Sequence, residues 1–223
     1  GLLKMKIAIV HEWLVTYAGS ESWLSQALEC FPDADLFAVI DFLDDEDRKL
    51  IKNKKAQTTY IQNLPFAKKL YKNYLPLMPR AIEQLDLSGY DIIISSNHAV
   101  AKGVIASPDQ LHISYVHSPM RYAWDLQFQY LKESKLEKGL KGWFVKKLLH
   151  KLRTWDVISA NRVDFFVSNS DYIAKRIQKC YRREATTIHC GVDITKFSKI
   201  AKKEDFYLAI SRLVPYKKMD LIV

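Results

Sequence analysis

Short runs of apolar, often β-branched residues recur along the chain, separated by stretches whose apolar positions repeat every three or four residues. The runs are Lys6 to Val10, Asp35 to Ile40, Asp91 to Ser95, Val104-Ile105, His112 to His117, Asp164 to Ser168, Ala185 to His189 and Phe206 to Ile210. Their brevity and β-branched content predict strands, and their near-continuous apolarity predicts burial on both faces. Between them, Glu21 to Leu28 with Ser20 as N-cap, and Asp171 to Lys179 with Ser170 as N-cap, read as helices. His11 to Ser20 reads as a polar loop between the first strand and the first helix. A lysine-rich segment from Asp44 to Pro79 has room for a short helix from Leu64 to Tyr74. About Tyr130 to Asn161 predicts a long helix broken near Gly139 and Gly142. Buried strands alternating with amphipathic helices specify an α/β fold, a Rossmann-like three-layer domain around a parallel sheet.

Asp193 to Asp205 is polar and lysine-rich, as an interdomain linker is. Phe206 onward then reads as a fresh strand, and Pro215 onward as the start of a helix. The expected organisation is one domain over residues 1–195, a linker over 196–205, and the beginning of a second Rossmann-like domain over 206–223. Composition agrees with a globular chain: of 223 residues, 48% are hydrophobic and 26% charged. No apolar run approaches the length of a membrane span, and the start does not read as a leader. Three cysteines without close spacing, Cys30, Cys180 and Cys190, argue against a disulfide scaffold or a zinc site and fit a reducing, cytoplasmic setting. The net charge of +9 favours anionic partners without choosing among nucleic acid, lipid and phosphorylated small molecules.

Four places could carry chemistry. Gly19, ahead of a helix start, would let a phosphate approach backbone N–H groups; an ordinary turn fits the same residues, and the dinucleotide fingerprint is absent. His117 follows a strand, where open α/β sheets bind ligands, and a histidine there can orient a hydroxyl or exchange its proton; a histidine serving only its loop fits equally. Arg212 and Lys217 lie between a strand and a helix start and suit a diphosphate, with a solvated basic surface as the other reading and Lys218 a neighbouring alternative. Tyr130 to Trp155 holds eight Lys/Arg and two Glu, a net +6. Leu140, Phe144, Leu148 and Leu152 repeat every four residues there, flanked by Trp143 and Trp155, with Lys141, Lys146, Lys147, Lys151 and Arg153 supplying charge. That pattern suits contact with an anionic membrane surface, or a domain helix whose stripe covers the sheet, or both. His11, Glu12, Arg121 and Asp125 are further polar candidates for an acceptor site. Protease, hydrolase-elbow and Walker motifs are missing, so metal hydrolysis, Ser/His/Asp catalysis and nucleotide hydrolysis have no support. Nucleic acid is disfavoured by the lack of any recognition motif.

Taken in order, Ile9-Val-His-Glu-Trp-Leu14, Ala18-Gly-Ser-Glu21, Tyr115-Val-His-Ser-Pro-Met-Arg-Tyr122, Val167-Ser-Asn-Ser170, Cys190-Gly-Val-Asp193 and Ser211-Arg-Leu-Val-Pro-Tyr-Lys217 form a series over essentially the whole chain. The series resembles the N-terminal half of a family 4 glycosyltransferase with the GT-B fold, and more narrowly the mannosyltransferase-like members that build O-antigen and other surface polysaccharides. The resemblance implies two Rossmann-like domains facing a cleft, the first mainly holding the acceptor and the second the nucleotide sugar. It implies that Gly19 approaches the donor diphosphate, that Arg212 and Lys217 neutralise it, and that His117 contacts the transferred sugar or acceptor. The family's usual paired glycine is Ala18-Gly19 here, and Lys218 stands where a glycine is common.

The implied reaction is retaining transfer of a hexose from a nucleotide diphosphate sugar to a glycan or polyprenyl-diphosphate-linked acceptor, without a cofactor or a tightly bound metal. GDP-mannose is the donor suggested by the subgroup likeness. The family's C-terminal acidic motif is absent from these 223 residues, so the chain alone is expected to bind donor poorly and transfer no sugar. The implied location is the cytoplasm, peripheral to the inner face of the cell membrane. The competing reading is a non-catalytic Rossmann-like module that binds a phosphorylated metabolite or an anionic membrane.

Overall fold

Seven strands pair side by side and all run parallel: β1 (Ile7–Leu14), β2 (Asp35–Asp41), β3 (Gln57–Thr58), β4 (Ile92–Asn97), β5 (Leu111–Val116), β6 (Phe165–Ser168) and β7 (Ala185–Thr187), in the spatial order β3-β2-β1-β4-β5-β6-β7. This computed structural model describes residues 5–198, 205–211 and 219–222. The chain divides into two compact units, Gly1–Gly191 and Val192–Val223. The sheet and its helices all belong to the first. The architecture is the expected Rossmann-like α/β domain.

Parallel strands need crossovers, and here α1 (Gly19–Cys30), α2 (Asp45–Leu50), α3 (Ala67–Leu70), α4 (Met78–Ile82), α5 (Gln127–Glu133), α6 (Gly139–Ala160) and α7 (Asp171–Tyr181) lie in or between them. β1 is an interior strand, with Ile9 paired to Leu36 of β2 on one side and Ile94 of β4 on the other. Ile9, Leu24, Leu28 and Leu36 form the core beneath α1. Ala8, Val10, Phe37, Ile82, Leu149 and Leu152 form the opposite core, beneath α4 and α6. A third cluster, with Val116, Phe166, Ile173 and Ile177, seats α7, whose N-cap Ser170 accepts the Ile173 N–H at 3.3 Å. From β1 the chain winds outward through β2 and β3, then returns to β4 on the other side of β1, which makes the β1–β4 boundary the switch point of the sheet.

Several local expectations are corrected. β1 continues to Leu14, so His11 and Glu12 lie inside this interior strand and not in a loop; both are buried, and hydrogen-bonding partners within the fold let the strand continue through them. α1 starts at Gly19 with Ala18 as N-cap, because the third helical residue, Glu21, reaches back to accept the Ala18 N–H at 3.0 Å. Val104-Ile105 is not a strand; a 3-10 turn at Ala101–Gly103 precedes it. The long helix is two, separated at residues 134–138. Gly139, with φ +80, opens α6, whereas Gly142 lies within α6, where a Cβ would run into the Leu136 carbonyl. The short edge strand β3 sits unannounced in the lysine-rich segment. Leu64 to Tyr74 holds α3 and part of a 3-10 stretch, Tyr71–Leu77. In the second unit the described residues form 3-10 turns at Ile194–Lys196 and Met219–Leu221, and Phe206 to Ile210, lacking a described strand to pair with, is not a strand.

Two buried polar clusters tie the layers together. Lys102, in the turn after β4, donates to the Asp156 carboxylate of α6 and to Ser159 Oγ at 3.0 Å. Asp156 also accepts from Trp124 Nε1 at 2.8 Å and the Tyr181 hydroxyl at 2.9 Å, joining three elements at one fully buried carboxylate. The adjoining Gly103 cannot carry a side chain, since a Cβ would land on the Trp155 ring. In β5, His112 bonds Ser95 Oγ of β4 at 2.9 Å through Nε2 and the Arg162 carbonyl at 3.1 Å through Nδ1. The carbonyl can only accept, so Nδ1 carries the proton and Nε2 accepts from Ser95. Burial holds His112 down at about 4, against an ordinary 6.5.

Lys102→Met should cost about 3–5 kcal/mol in urea unfolding, because it leaves Asp156 buried without its cation. A loss below about 1 kcal/mol would show that the pair contributes little. The His112 shift sets a pH dependence: the unfolded chain takes a proton near 6.5 and the folded chain only near 4, so His112's contribution is intact above 6.5 and falls as pH drops toward 4. The urea midpoint should therefore decline over that window, and His112→Gln should flatten the slope. An equally steep decline in the variant would assign it to other groups.

Candidate functional site

The carboxyl ends of β1, β4 and β5 carry a connected row of polar side chains. His11, on β1, faces α1, and its Nε2 lies 3.0 Å from Glu21 Oε1. Its Nδ1 lies 3.0 Å from Ser96 Oγ near the end of β4, and Ser96 Oγ lies 2.9 Å from Nε2 of His117, the first residue after β5. His11, Ser96 and Glu21 are buried, while His117 is half-buried at the rim. Strand alternation explains the placement: Ile9 and His11 point toward α1, and Ala8, Val10 and Glu12 point the other way.

Rings surround His117. Trp23 of α1 stacks on Tyr115 at 4.6 Å and meets His117 edge-on at 5.9 Å, and His98 lies 6.4 Å away. Burial first, then the neighbouring His11 and His98, push His117 down to about 3, with Glu21 acting in the opposite sense. His98 is lowered as well, chiefly by burial. His117 is therefore neutral at physiological pH and suited to hydrogen bonding more than to proton transfer. Its backbone is fixed too: the N–H donates to the Asn97 carbonyl at 2.9 Å, and its carbonyl accepts from Asn169 Nδ2 at 3.2 Å. Glu21 titrates below the ordinary carboxylate range. Burial alone would raise it, but the hydrogen bonds from His11, a backbone N–H and the Ser20 hydroxyl outweigh that.

Gly19 occupies the first position of α1, with nothing within 4 Å of where a Cβ would stand. As first-turn residues, Gly19 and Ser20 have N–H groups without a helical acceptor. Glu12 does not face solvent. Its carboxylate accepts the N–H groups of His98, Ala99, Val100 and Ala101 at 2.7–3.0 Å, so it shapes the turn after β4. Arg121 is exposed on the turn beyond β5, and its charge is felt at His98. Asp125 pairs with Arg176 of α7 through two 2.6 Å hydrogen bonds. Arg212 and Lys217, and Lys218 with them, lie outside the described residues.

The basic helix divides into two parts. In its first turns, Leu140, Trp143 and Phe144 are 80%, 55% and 63% exposed, beside the exposed Lys141, Lys146 and Lys147. Lys151 is exposed one turn past Lys147. Leu148 is half-buried and Leu152 buried, so only the later part of the stripe covers the sheet. Arg153 turns inward to the Ala123 carbonyl and Gln127 and is not part of the exposed basic surface. No helix among the described residues is long and apolar enough to cross a membrane.

Glu21, Ser96, His98 and Trp23 are site residues that the sequence reading passed over. A signal for two of them existed: the apolar run of β4 ends in Ser95-Ser96-Asn97-His98, polar residues at the carboxyl end of a buried parallel strand.

Comparison with known proteins supports the resemblance. The structure is similar to that of Anabaena Alr3699/HepE in complex with UDP and glucose, at 15% identity and TM-score 0.53, covering 89% of this chain and 48% of that one. A second structure of Anabaena Alr3699/HepE, in complex with UDP-glucose, matches at 15% identity and TM-score 0.50, covering 89% and 47%. The chain thus spans about half the length of these proteins, and at this identity the likeness establishes the fold. No curated protein matches the chain. Residues 38–196 match the model of the family described as Glycosyltransferase Family 4, and that match covers most of the sheet and the His117 region. The chain belongs to glycosyltransferase family 4.

Proposed function

We propose that this chain is the acceptor-side half of a retaining glycosyltransferase, which moves a hexose from a nucleotide diphosphate sugar to a hydroxyl of a glycan or polyprenyl-diphosphate-linked acceptor in surface-polysaccharide synthesis. The observation that carries this reading, alongside family membership, is the neutral His117 at the carboxyl ends of the strands, its Nδ1 without a partner among the described residues. A neutral imidazole there binds and orients a sugar hydroxyl; its low proton affinity makes it a poor general base. The open N-terminus of α1 at Gly19 favours the donor diphosphate, with Arg212 and Lys217 as the cations that offset the charge of the leaving nucleotide. GDP-mannose is the donor favoured by the sequence likeness. UDP-glucose is the competing donor, since Anabaena HepE is found in complex with it.

The exposed Leu140, Trp143 and Phe144 with Lys141, Lys146, Lys147 and Lys151 support peripheral contact with an anionic membrane on the cytoplasmic side, where a lipid-linked acceptor would reside. Each lysine near such a surface contributes about 1 kcal/mol at most, and Trp143 and Phe144 add apolar insertion.

A parent protein carrying both halves should release nucleoside diphosphate from one of a panel including GDP-mannose and UDP-glucose when given acceptor. His117→Ala should lower kcat/KM about 10²-fold with donor diphosphate affinity little changed, as expected for lost orientation of a reacting hydroxyl. Near-normal turnover in the variant would remove His117 from the site. Vesicle co-sedimentation tests the membrane contact. The chain should pellet with anionic vesicles at low salt, less so at high salt, and less again as Trp143→Ala/Phe144→Ala. Failure to pellet with anionic vesicles at low salt would rule the contact out.

A further inference from the structure

Donor and acceptor roles along the row that reaches His117 are set from its far end. The Glu21 carboxylate only accepts, and it already takes the Ala18 N–H on Oε2 and the Ser20 hydroxyl on Oε1, each at 3.0 Å. His11 Nε2, 3.0 Å from Oε1, must therefore donate. In the neutral form an imidazole has one donor and one acceptor, so a neutral His11 accepts on Nδ1, and the Ser96 hydroxyl 3.0 Å away donates to it. That hydroxyl has a single proton. Its second contact, 2.9 Å from His117 Nε2, is one in which the oxygen accepts and His117 donates. His117 is left with a lone pair on Nδ1 that has no partner among the described residues.

We propose that Glu21, His11 and Ser96 are positioning residues that hold His117 in its Nε2–H tautomer, making Nδ1 an obligatory hydrogen-bond acceptor for a substrate hydroxyl. The row suits this task because His11 and Ser96 are fully buried and Glu21 almost so, which keeps water from offering alternative partners. The Glu21 contact with the Ala18 N–H also locks the carboxylate to the first turn of α1, so the far end of the row cannot swing away. An acceptor at Nδ1 discriminates: a sugar hydroxyl can donate to it, while a carbonyl, ether or phosphate oxygen presents lone pair to lone pair. The meaning for substrate choice rests on the glycosyl-transfer reading above. The tautomer does not.

Ring-nitrogen NMR of the 223-residue chain with ¹⁵N-labelled histidine reads the tautomer directly. At neutral pH, two-bond ¹H–¹⁵N correlations should show His117 with a protonated Nε2 and an unprotonated Nδ1. A protonated Nδ1 would overturn the proposal; it is the pattern expected if His11 carried both protons and turned the Ser96 hydroxyl toward His117. In Ser96→Ala, with folding checked by the amide spectrum, His117 should lose its single pattern and show the averaged shifts of two tautomers, while His11 keeps its proton on Nε2. Retention of the wild-type His117 pattern would overturn the proposal. Should that variant not fold, the wild-type spectrum decides alone, and Glu21→Ala should produce the same averaging from the other end of the row. A donor screen that finds no transfer leaves these spectra unchanged, and a wrong tautomer leaves sugar transfer standing, so the two readings fail separately.

Discussion

A parallel strand buried on both faces can hold ionisable residues only where the fold completes their hydrogen bonds, because an unpaired carboxylate or imidazole in that interior costs several kcal/mol. β1 carries two such residues in succession, His11 and Glu12, and the rest of the site depends on how each is satisfied. Among the described residues Glu12 has no cationic hydrogen-bonding partner. Four consecutive backbone N–H groups converge on it, at residues 98–101, in the arrangement by which turns bind anions. The turn after β4 is therefore wound around a side chain of the neighbouring strand. That turn sets where His98 stands and, four residues on, points Lys102 inward to Asp156.

On the opposite face, His11 plays the reciprocal part. It joins the start of α1, through Glu21, to the end of β4, through Ser96. Because α1 begins at Gly19, the same contact that satisfies His11 fixes the height and angle of the helix N-terminus. The two residues of β1 thus organise one loop each, and the loops meet at the sheet's switch point. Stability and site geometry cannot be separated here: the polar atoms that hold the layers together are those that aim His117.

The strands of the sheet were legible because a fully buried parallel strand leaves a plain mark, a short β-branched run, and six of the seven appear that way. β3 escaped notice because a two-residue edge strand leaves almost no pattern. The first strand read four residues too short for a physical reason: His11 and Glu12 signal a loop unless their partners are known, and those partners lie 10 and 85 residues away for His11 and 86 to 89 residues away for Glu12. His117 was legible through its place after a strand. Glu21 and Ser96 were not, since a glutamate near a helix start reads as a capping residue and a serine at a strand end reads as filler. Glu21 does serve the cap; its second oxygen is what serves the site. Similarly, the four-residue stripe of α6 did not reveal that Leu140 and Phe144 stay exposed while Leu152 packs, because a stripe records which side of a helix is apolar but not how much of its length the body of the protein reaches.

A site built this way has a chemical consequence. Packing His98 and His117 among rings and strand ends suppresses their positive charge: an added proton would be poorly solvated and would repel charge on the neighbouring histidine. Such a cluster is unsuited to shuttling protons near neutrality but well suited to holding fixed dipoles, since neutral imidazoles keep one donor and one acceptor in known directions. For transfer of a sugar between oxygens, that division is economical. In the sugar transfer proposed above, the departing diphosphate would receive the acceptor's proton while the protein supplies orientation, and a donor–acceptor row closed at one end by an ionised glutamate gives that orientation a single sense.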